Sequence, residues 1–432
     1  MEDRIAKLDK EITELISENS SLKQDITFLK NKISTLEKKN LDYVNRLNSL
    51  EKQERNTQIQ KKLTNSLNIK LKHDHKGWIL ILCILDKNHI LSGGKDGCIK
   101  CHELDNNNEN SILFTINKAH DREVSYILKL SKHVIISCGE DGRINRWYIN
   151  YSKDYQNKKR YKLLETFMVD GSKKKVHQSA YKIIKLNNGN LCSCGKGSLI
   201  RFWEKNKEIN TYKCYKYLKC EAEYVQSVME LDNNKLVAGC WHSTEFFDIK
   251  EFKAETNIKK TMTDHPNAMI RMGDKIICSG WGIFFIDIKK QQLISTVQIE
   301  YYDEEGIYCL APLTDNLFIC GGNLRTLDIY DINICEKVAN ISFNEDFAFD
   351  IKNYHGLYFI CGSVGIYGYF LNEFLPKKKF EEENEKSEES LKNIIIDNDE
   401  NEKEGEENKE YSSDNDFNDD DIKLNYLLED DL

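Results

Sequence analysis

The 432-residue sequence has no run of about 18 apolar residues and no apolar segment near its first residue. A helical membrane span and a secretory signal are therefore not expected, which points to the cytoplasm, with the nucleus also open. P-loop, GxSxG and HExxH patterns are missing as well, so nothing in the sequence indicates an enzyme, a cofactor or a metal. A basic stripe is also lacking. Residues 1–72 carry 15 Lys/Arg and 11 Asp/Glu, residues 376–432 carry 8 and 22, and the middle carries 39 and 38. Nucleic-acid binding needs clustered cations to displace counter-ions from phosphate, and a near-neutral middle does not provide them. Only three prolines occur, beside abundant Asn, Lys and Ile, a compositional bias that excludes no function. Cysteine is the exception to this scarcity. Fourteen are present, many inside apolar runs such as IIC (276–278) and FIC (318–320), where the thiol acts as a small hydrophobe.

The first fifty residues repeat with a period of seven. With Ile5 at position a, Ile5, Ile12, Asn19, Ile26, Ile33, Asn40 and Leu47 fall at a. Leu8, Leu15, Leu22, Leu29, Leu36, Tyr43 and Leu50 fall at d. Ile at a with Leu at d favours two parallel strands, and a buried Asn is best satisfied by its twin, so Asn19 and Asn40 fix the register of a homodimer. Charges flanking the seam agree. In a parallel pair a g residue faces the partner's e residue five positions later. Arg4 then meets Asp9, Glu18 meets Lys23, Asp25 meets Lys30, Lys32 meets Glu37 and Arg46 meets Glu51, all attractive. Residues 1–60 are expected to form this parallel coiled coil.

From residue 73 the period changes to short alternating strands punctuated by glycine. Seven segments align: SGGKDGCIKCHEL (92–104), SCGEDGRINRWYI (137–149), SCGKGSLIRFWEK (193–205), VAGCWHSTEFFDIK (237–250), ICSGWGIFFIDIK (277–289), ICGGNLRTLDIYDI (319–332) and ICGSVGIYGYFL (360–371). Ser92, Ser137, Ser193, Val237, Cys278, Cys320 and Cys361 are taken as equivalent, at spacings of 45, 56, 44, 41, 42 and 41 residues. Each interval suits one four-stranded blade.

In these repeats the chain resembles the WD40-repeat family, which implies an all-β seven-bladed propeller over residues 61–375. The second repeat carries the resemblance best. His120, Ser137, Asp141 and Trp147 stand at the spacing of the family's structural hydrogen-bond tetrad, whose members hold a blade together and catalyse nothing. The third repeat keeps His177, Ser193 and Trp203 but has Gly197 in the aspartate place. The first keeps His75, Ser92 and Asp96 with His102 in the tryptophan place. The Trp-Asp dipeptide that names the family is missing throughout. Rings of this family close by pairing strands from the two ends of the chain. NSLNIKLKHDH (65–75) aligns with NSILFTINKAH (110–120), so 65–72 is expected to be the outer strand of the last blade.

Several patterns imitate ligand sites. CIKCH (98–102) matches a haem-attachment signature, yet residues three apart on a strand point to opposite faces, so the thiols diverge. His73 and His75 coincide with the turn that carries the repeat histidine. NKKRYK (157–162) and SKKK (172–175) are read as solvated loop. Phosphoinositide-binding propellers resemble this architecture, but only Arg325 comes near their paired-arginine motif.

Residues 376–432 form an acidic tail too poor in apolar residues to fold alone. KNIIIDNDENE (392–402) and IKLNYLLEDDL (422–432) interrupt it and are candidate docking motifs. WD40 propellers recruit peptides where the turns between second and third strands gather. Those turns here offer Lys95, Lys196, Trp241, His242, Trp281 and Arg325. Their basic and aromatic character suits an acidic or phosphorylated peptide. The leading expectation is a non-enzymatic scaffold, dimerised by its coil, with the propeller as a protein-binding platform. Alternatives are a substrate receptor of a ubiquitin-ligase or autophagy complex, or a G-protein β-like subunit.

Overall fold

A computed structural model describes residues 2–64, 68–71, 74–104, 110–152, 159–169, 176–232, 234–259, 268–298, 306–323, 325–343, 347–363 and 365–371. The acidic tail, with both of its candidate docking motifs, lies outside the described residues, as do His73 and the 172–175 lysines. Two units are distinguished, Met1–Lys61 and Lys62–Leu432.

The first unit is one helix, α1 (Glu2–Thr64). No Pro or Gly interrupts these residues, so nothing breaks the i→i−4 ladder over its length of roughly 95 Å. The twelve apolar residues at a and d are all exposed, from Ile26 at 52% to Leu50 at 64%. Asn19 and Asn40 are exposed beside them. A lone helix gains little from propensity, and most helical stability comes from burying an apolar stripe.

The second unit is a ring of seven antiparallel sheets of four strands each. Burial explains the apolar runs in the sequence. Second strands such as His89–Gly94 and Val134–Gly139 are buried at every residue, since strands flank them within the sheet and neighbouring blades cover both faces. Fourth strands lie at the rim, and Gln292–Gln298 is largely exposed. Apolar clusters fill the gaps between blades: one joins Ile81 and Phe114 of blade one to Ile127 and Trp147 of blade two. Another joins Cys192, Cys194 and Phe202 of blade three to Val228 and Phe247 of blade four. The cysteines are free, and eleven of the fourteen are buried. Burial pushes the Cys83 thiol up to about 11 and those of Cys194 and Cys278 up to about 12, as befits inert core residues. In the 98–102 segment Cys101 is buried in the core, while Cys98 Sγ lies 3.7 Å from the Asp96 carbonyl.

A register slip recurs between the first and second strands, at Ile79/Ile81, Val124/Tyr126, Ala180/Lys182, Val225/Ser227, Ile307/Cys309 and Ala348/Asp350. A bulge at one place in six of the seven blades bends those inner strands alike, blade five pairing without one. Strand pairing also corrects the sequence alignment in two repeats. Ile149 N–H bonds to the His133 carbonyl in blade two, and Ile249 to Asn234 and Leu371 to Gly356 do the same in blades four and seven. Counting back along the pairs makes Ala238 and Ile360, not Val237 and Cys361, the counterparts of Ser137. The turns cause the error. Blade two spends Glu140 to Arg143 between strands, whereas blade four turns on Trp241 and His242 alone, with His242 at φ 64°.

The last sheet holds Ala348–Tyr354, Leu357–Gly362, Ile366–Phe370 and, outermost, Asn68–Leu71. Asn68 pairs with Tyr369 and Leu71 with Ile366, so the two ends of the ring-forming chain share one blade. Blades seven and one also meet through Asp350, whose carboxylate accepts the Leu82 N–H at 2.9 Å and the Lys352 ammonium at 2.8 Å. Asp350→Ala leaves a buried amide and a cation unpaired at this seam. We expect a loss of about 3 kcal/mol, read as a lowered unfolding midpoint.

Candidate interaction face

Blade two assembles its four predicted residues into one chain of hydrogen bonds. Trp147 Nε1–H donates to Ser137 Oγ at 3.0 Å, the Ser137 hydroxyl donates to His120 Nε2 at 2.8 Å, and His120 Nδ1–H donates to Asp141 at 3.0 Å. Asp141 also accepts the backbone N–H groups of Asp121 and Arg143 at 3.0 Å each, tying the incoming loop to the turn. Burial pushes its carboxyl up, but the His120 bond and charge with these two amides outweigh that and hold it at about 2. Blade one repeats the chain with His102 donating to Ser92 at 2.7 Å, in place of a tryptophan.

Blade three runs differently. Trp203 donates to Ser193 at 2.9 Å, and His177 Nε2 lies 3.1 Å from the same hydroxyl. With Gly197 in the aspartate place, His177 Nδ1 instead accepts from the Arg201 guanidinium at 3.2 Å. The ring therefore carries its proton on Nε2, the reverse of blade two. Burial, then the Arg201 charge, pushes His177 down to about 3, so it stays neutral. Blade four uses Glu245, which accepts the Glu221 N–H at 3.1 Å and the Ala222 N–H at 3.4 Å. Cys220, Cys240 and Glu245, all buried, hold their polar atoms within 4.8 Å of one another. Glu245 already has its amide partners and ties the incoming loop to the third strand, from the place that Asn145 holds in blade two.

Antiparallel order puts the turn between second and third strands at the same end of a blade as the start of the first strand. Residues predicted from the turns can therefore meet residues that enter the inner strands. Lys95 does so: its ammonium lies 4.3 Å over the Trp78 ring and 3.5 Å from Glu123. Trp78 precedes the inner strand of blade one and packs on Phe347 and Phe349 of blade seven, with ring centroids 5.4 and 5.3 Å away. Tyr308 of blade six extends the group, 5.7 Å from Phe349. Trp78 remains 39% exposed. These four aromatics escaped the motif reading, because they occupy strand entrances and not the turns. The available signal was an aromatic residue at the mouth of the inner strand in three successive blades of the ring.

Lys196, Trp241 and His242 form a second group around Tyr224. Lys196 lies 5.2 Å over the Tyr224 ring, Trp241 packs edge-on against it at 4.8 Å, and His242 stacks on Trp241 at 5.1 Å. Trp241 is half-buried, and its Nε1 has no hydrogen-bond partner among the described residues. Trp281, 41% exposed, stands between these groups in the turn of blade five, beside Gly306. Arg325 is exposed in the turn of blade six.

No family model matches the chain, and no curated protein proved similar to it. Among solved structures, the WD40 β-propeller domain of Doa1 superposes with a TM-score of 0.55 at 13% identity, over 69% of this chain and 94% of that one. At this identity the likeness shows the fold, a WD40 propeller; in this chain it has seven blades and is preceded by one long helix. WD40 propellers are a protein-interaction fold and are usually not catalytic. No helix among the described residues is long and apolar enough to cross a membrane.

Proposed function

We propose that the chain is a non-enzymatic scaffold that pairs through its N-terminal helix and offers two propeller faces to peptide segments of partner proteins. The observation that carries this reading is the aromatic cluster of Trp78, Tyr308, Phe347 and Phe349 at one end of the ring, with the Lys95 cation laid over Trp78. Exposed aromatics beside a cation are the usual energetic centre of a peptide interface. Lys95, Lys196, Trp241, His242, Trp281 and Arg325 are carried by the same end of the blades and favour an acidic or phosphorylated segment. Pairing rests on the exposed a and d residues of α1, on Asn19 and Asn40, and on the five attractive g–e′ pairs. Two faces on one dimer turn weak single contacts into tighter binding through effective concentration.

Peptides selected from a random library on the full chain test this reading. Trp78→Ala should weaken them by at least about tenfold, the effect of losing one hot-spot aromatic, whereas Leu163→Ala on a rim strand should leave affinity unchanged. Equal loss, or none, from both variants would remove the aromatic cluster as the binding centre.

A further inference from the structure

Blades one, two and three differ at linked places around the tetrad serine, and the combination leaves blade three with an uncompensated charge. Opposite the tetrad serine, the third strands carry Lys100, Asn145 and Arg201, paired with Ser92, Ser137 and Ser193. Lys100 is buried and ion-paired with Asp74, the residue before His75. Asn145 is neutral and donates to the carbonyl of Ala119, the residue before His120, at 2.9 Å. Arg201 finds Val176 at that place, a buried hydrocarbon, and Gly197 where the other blades hold an aspartate. Both acids of blade one are thus gone while the cation remains. Among the described residues the Arg201 guanidinium has no carboxylate partner, and its hydrogen bond goes to neutral His177. Burial pushes Arg201 down from its ordinary value, the sign of a cation short of counter-charge. Leaving a partly buried charge unpaired is costly unless something offsets it.

The space once meant for the aspartate is open. A Cβ added at Gly197 would meet nothing within 4 Å. An open cleft of about 420 Å³ occupies this place, walled by His177, Lys196, Ser198 and Arg201 and also by the apolar Val176 and Leu199. Lys196 supplies a second cation without a carboxylate partner among the described residues, and Ser198 supplies a hydroxyl. We infer that this cleft is a phosphate site in which a bound phosphate group takes the place of the missing tetrad aspartate. Two cations match a phosphate dianion better than a single carboxylate, and the planar guanidinium fork fits two phosphate oxygens at once. The group can come from inorganic phosphate or from a phosphorylated side chain of a partner. The inference is independent of the aromatic cluster, which belongs to blades six, seven and one.

Calorimetric titration of the full chain at fixed ionic strength tests it, with inorganic phosphate and a phosphoserine peptide as probes. Wild type should bind phosphate. Arg201→Asn, which installs the residue blade two uses, should weaken binding by at least about tenfold, the loss of a charged hydrogen-bond donor, while Arg201→Lys should keep part of it. Lys196→Gln, on the cleft rim, makes the same comparison should Arg201→Asn fail to fold. Leu163→Ala, on an exposed rim strand of blade two, should bind phosphate as wild type does, even if the peptide reading fails. Tighter binding of the phosphopeptide would identify a protein-borne group, and equal or tighter binding of inorganic phosphate a free one. No phosphate binding by wild type, or binding unaltered by both Arg201→Asn and Lys196→Gln, would overturn the assignment.

Discussion

Replacing Trp203 by alanine is expected to lower the unfolding midpoint of the propeller by about 6 °C. Trp203 is fully buried, its ring centroid lies 5.0 Å from that of Phe167, and its indole donates to Ser193 at 2.9 Å. Large-to-small changes at such a place cost about 3–5 kcal/mol, because the cavity cannot collapse inside a sheet held on both sides. That is a large share of the roughly 5–15 kcal/mol by which a domain is stable, and at an unfolding entropy of about 2.1 cal/mol/K per residue each kcal/mol moves the midpoint of a domain of this size by about 1.5 °C. The loss goes beyond packing. Ser193 would lose a donor, so the bond to His177 and through it to Arg201 would lose an anchor. Calorimetric melting of the full chain checks the expectation. A fall of less than about 2 °C would mean that blade three does not depend on its tryptophan as blade two's bonding pattern implies.

Legibility in the sequence tracked how local each determinant is. The heptads of α1 are strictly local, and so is the punctuation of strands by glycine turns, so helix, blade number and fold class were readable. Register was not readable in blades four and seven. There the shortened turns at Trp241-His242 and after Gly362 shift the alignment by one residue, and only the cross-strand partners of Ala238 and Ile360 reveal it. Site residues divided in the same way. Lys95 is visible as a turn residue, but Phe347 and Phe349, which pack on its partner Trp78, come from the opposite end of the chain. Nothing in the sequence around Arg201 singles it out. Its meaning depends on Val176 and Gly197, two residues whose significance is what they lack relative to Asp74 and Asp96.

The second large effect concerns α1. Twelve apolar side chains exposed along one helix form a seam far longer than a monomer normally leaves in water. Ile26→Asp together with Leu29→Asp puts adjacent a and d carboxylates into the middle of that seam. Each must then be buried beside its twin or the strands must part, and parting is the cheaper outcome. The doubly substituted chain should therefore be monomeric at micromolar concentration, with its propeller melting unchanged. It should also bind a tethered pair of selected peptides no better than a single one, since the gain from effective concentration requires two linked faces.

Light scattering on the full chain tests the central claim, that the molecule works as a pair, most directly. The account predicts a mass twice the 50.5 kDa of one chain, falling to that of one chain in the Ile26→Asp, Leu29→Asp variant. A single-chain mass for the unsubstituted protein would contradict it and leave α1 to a different coiled-coil partner.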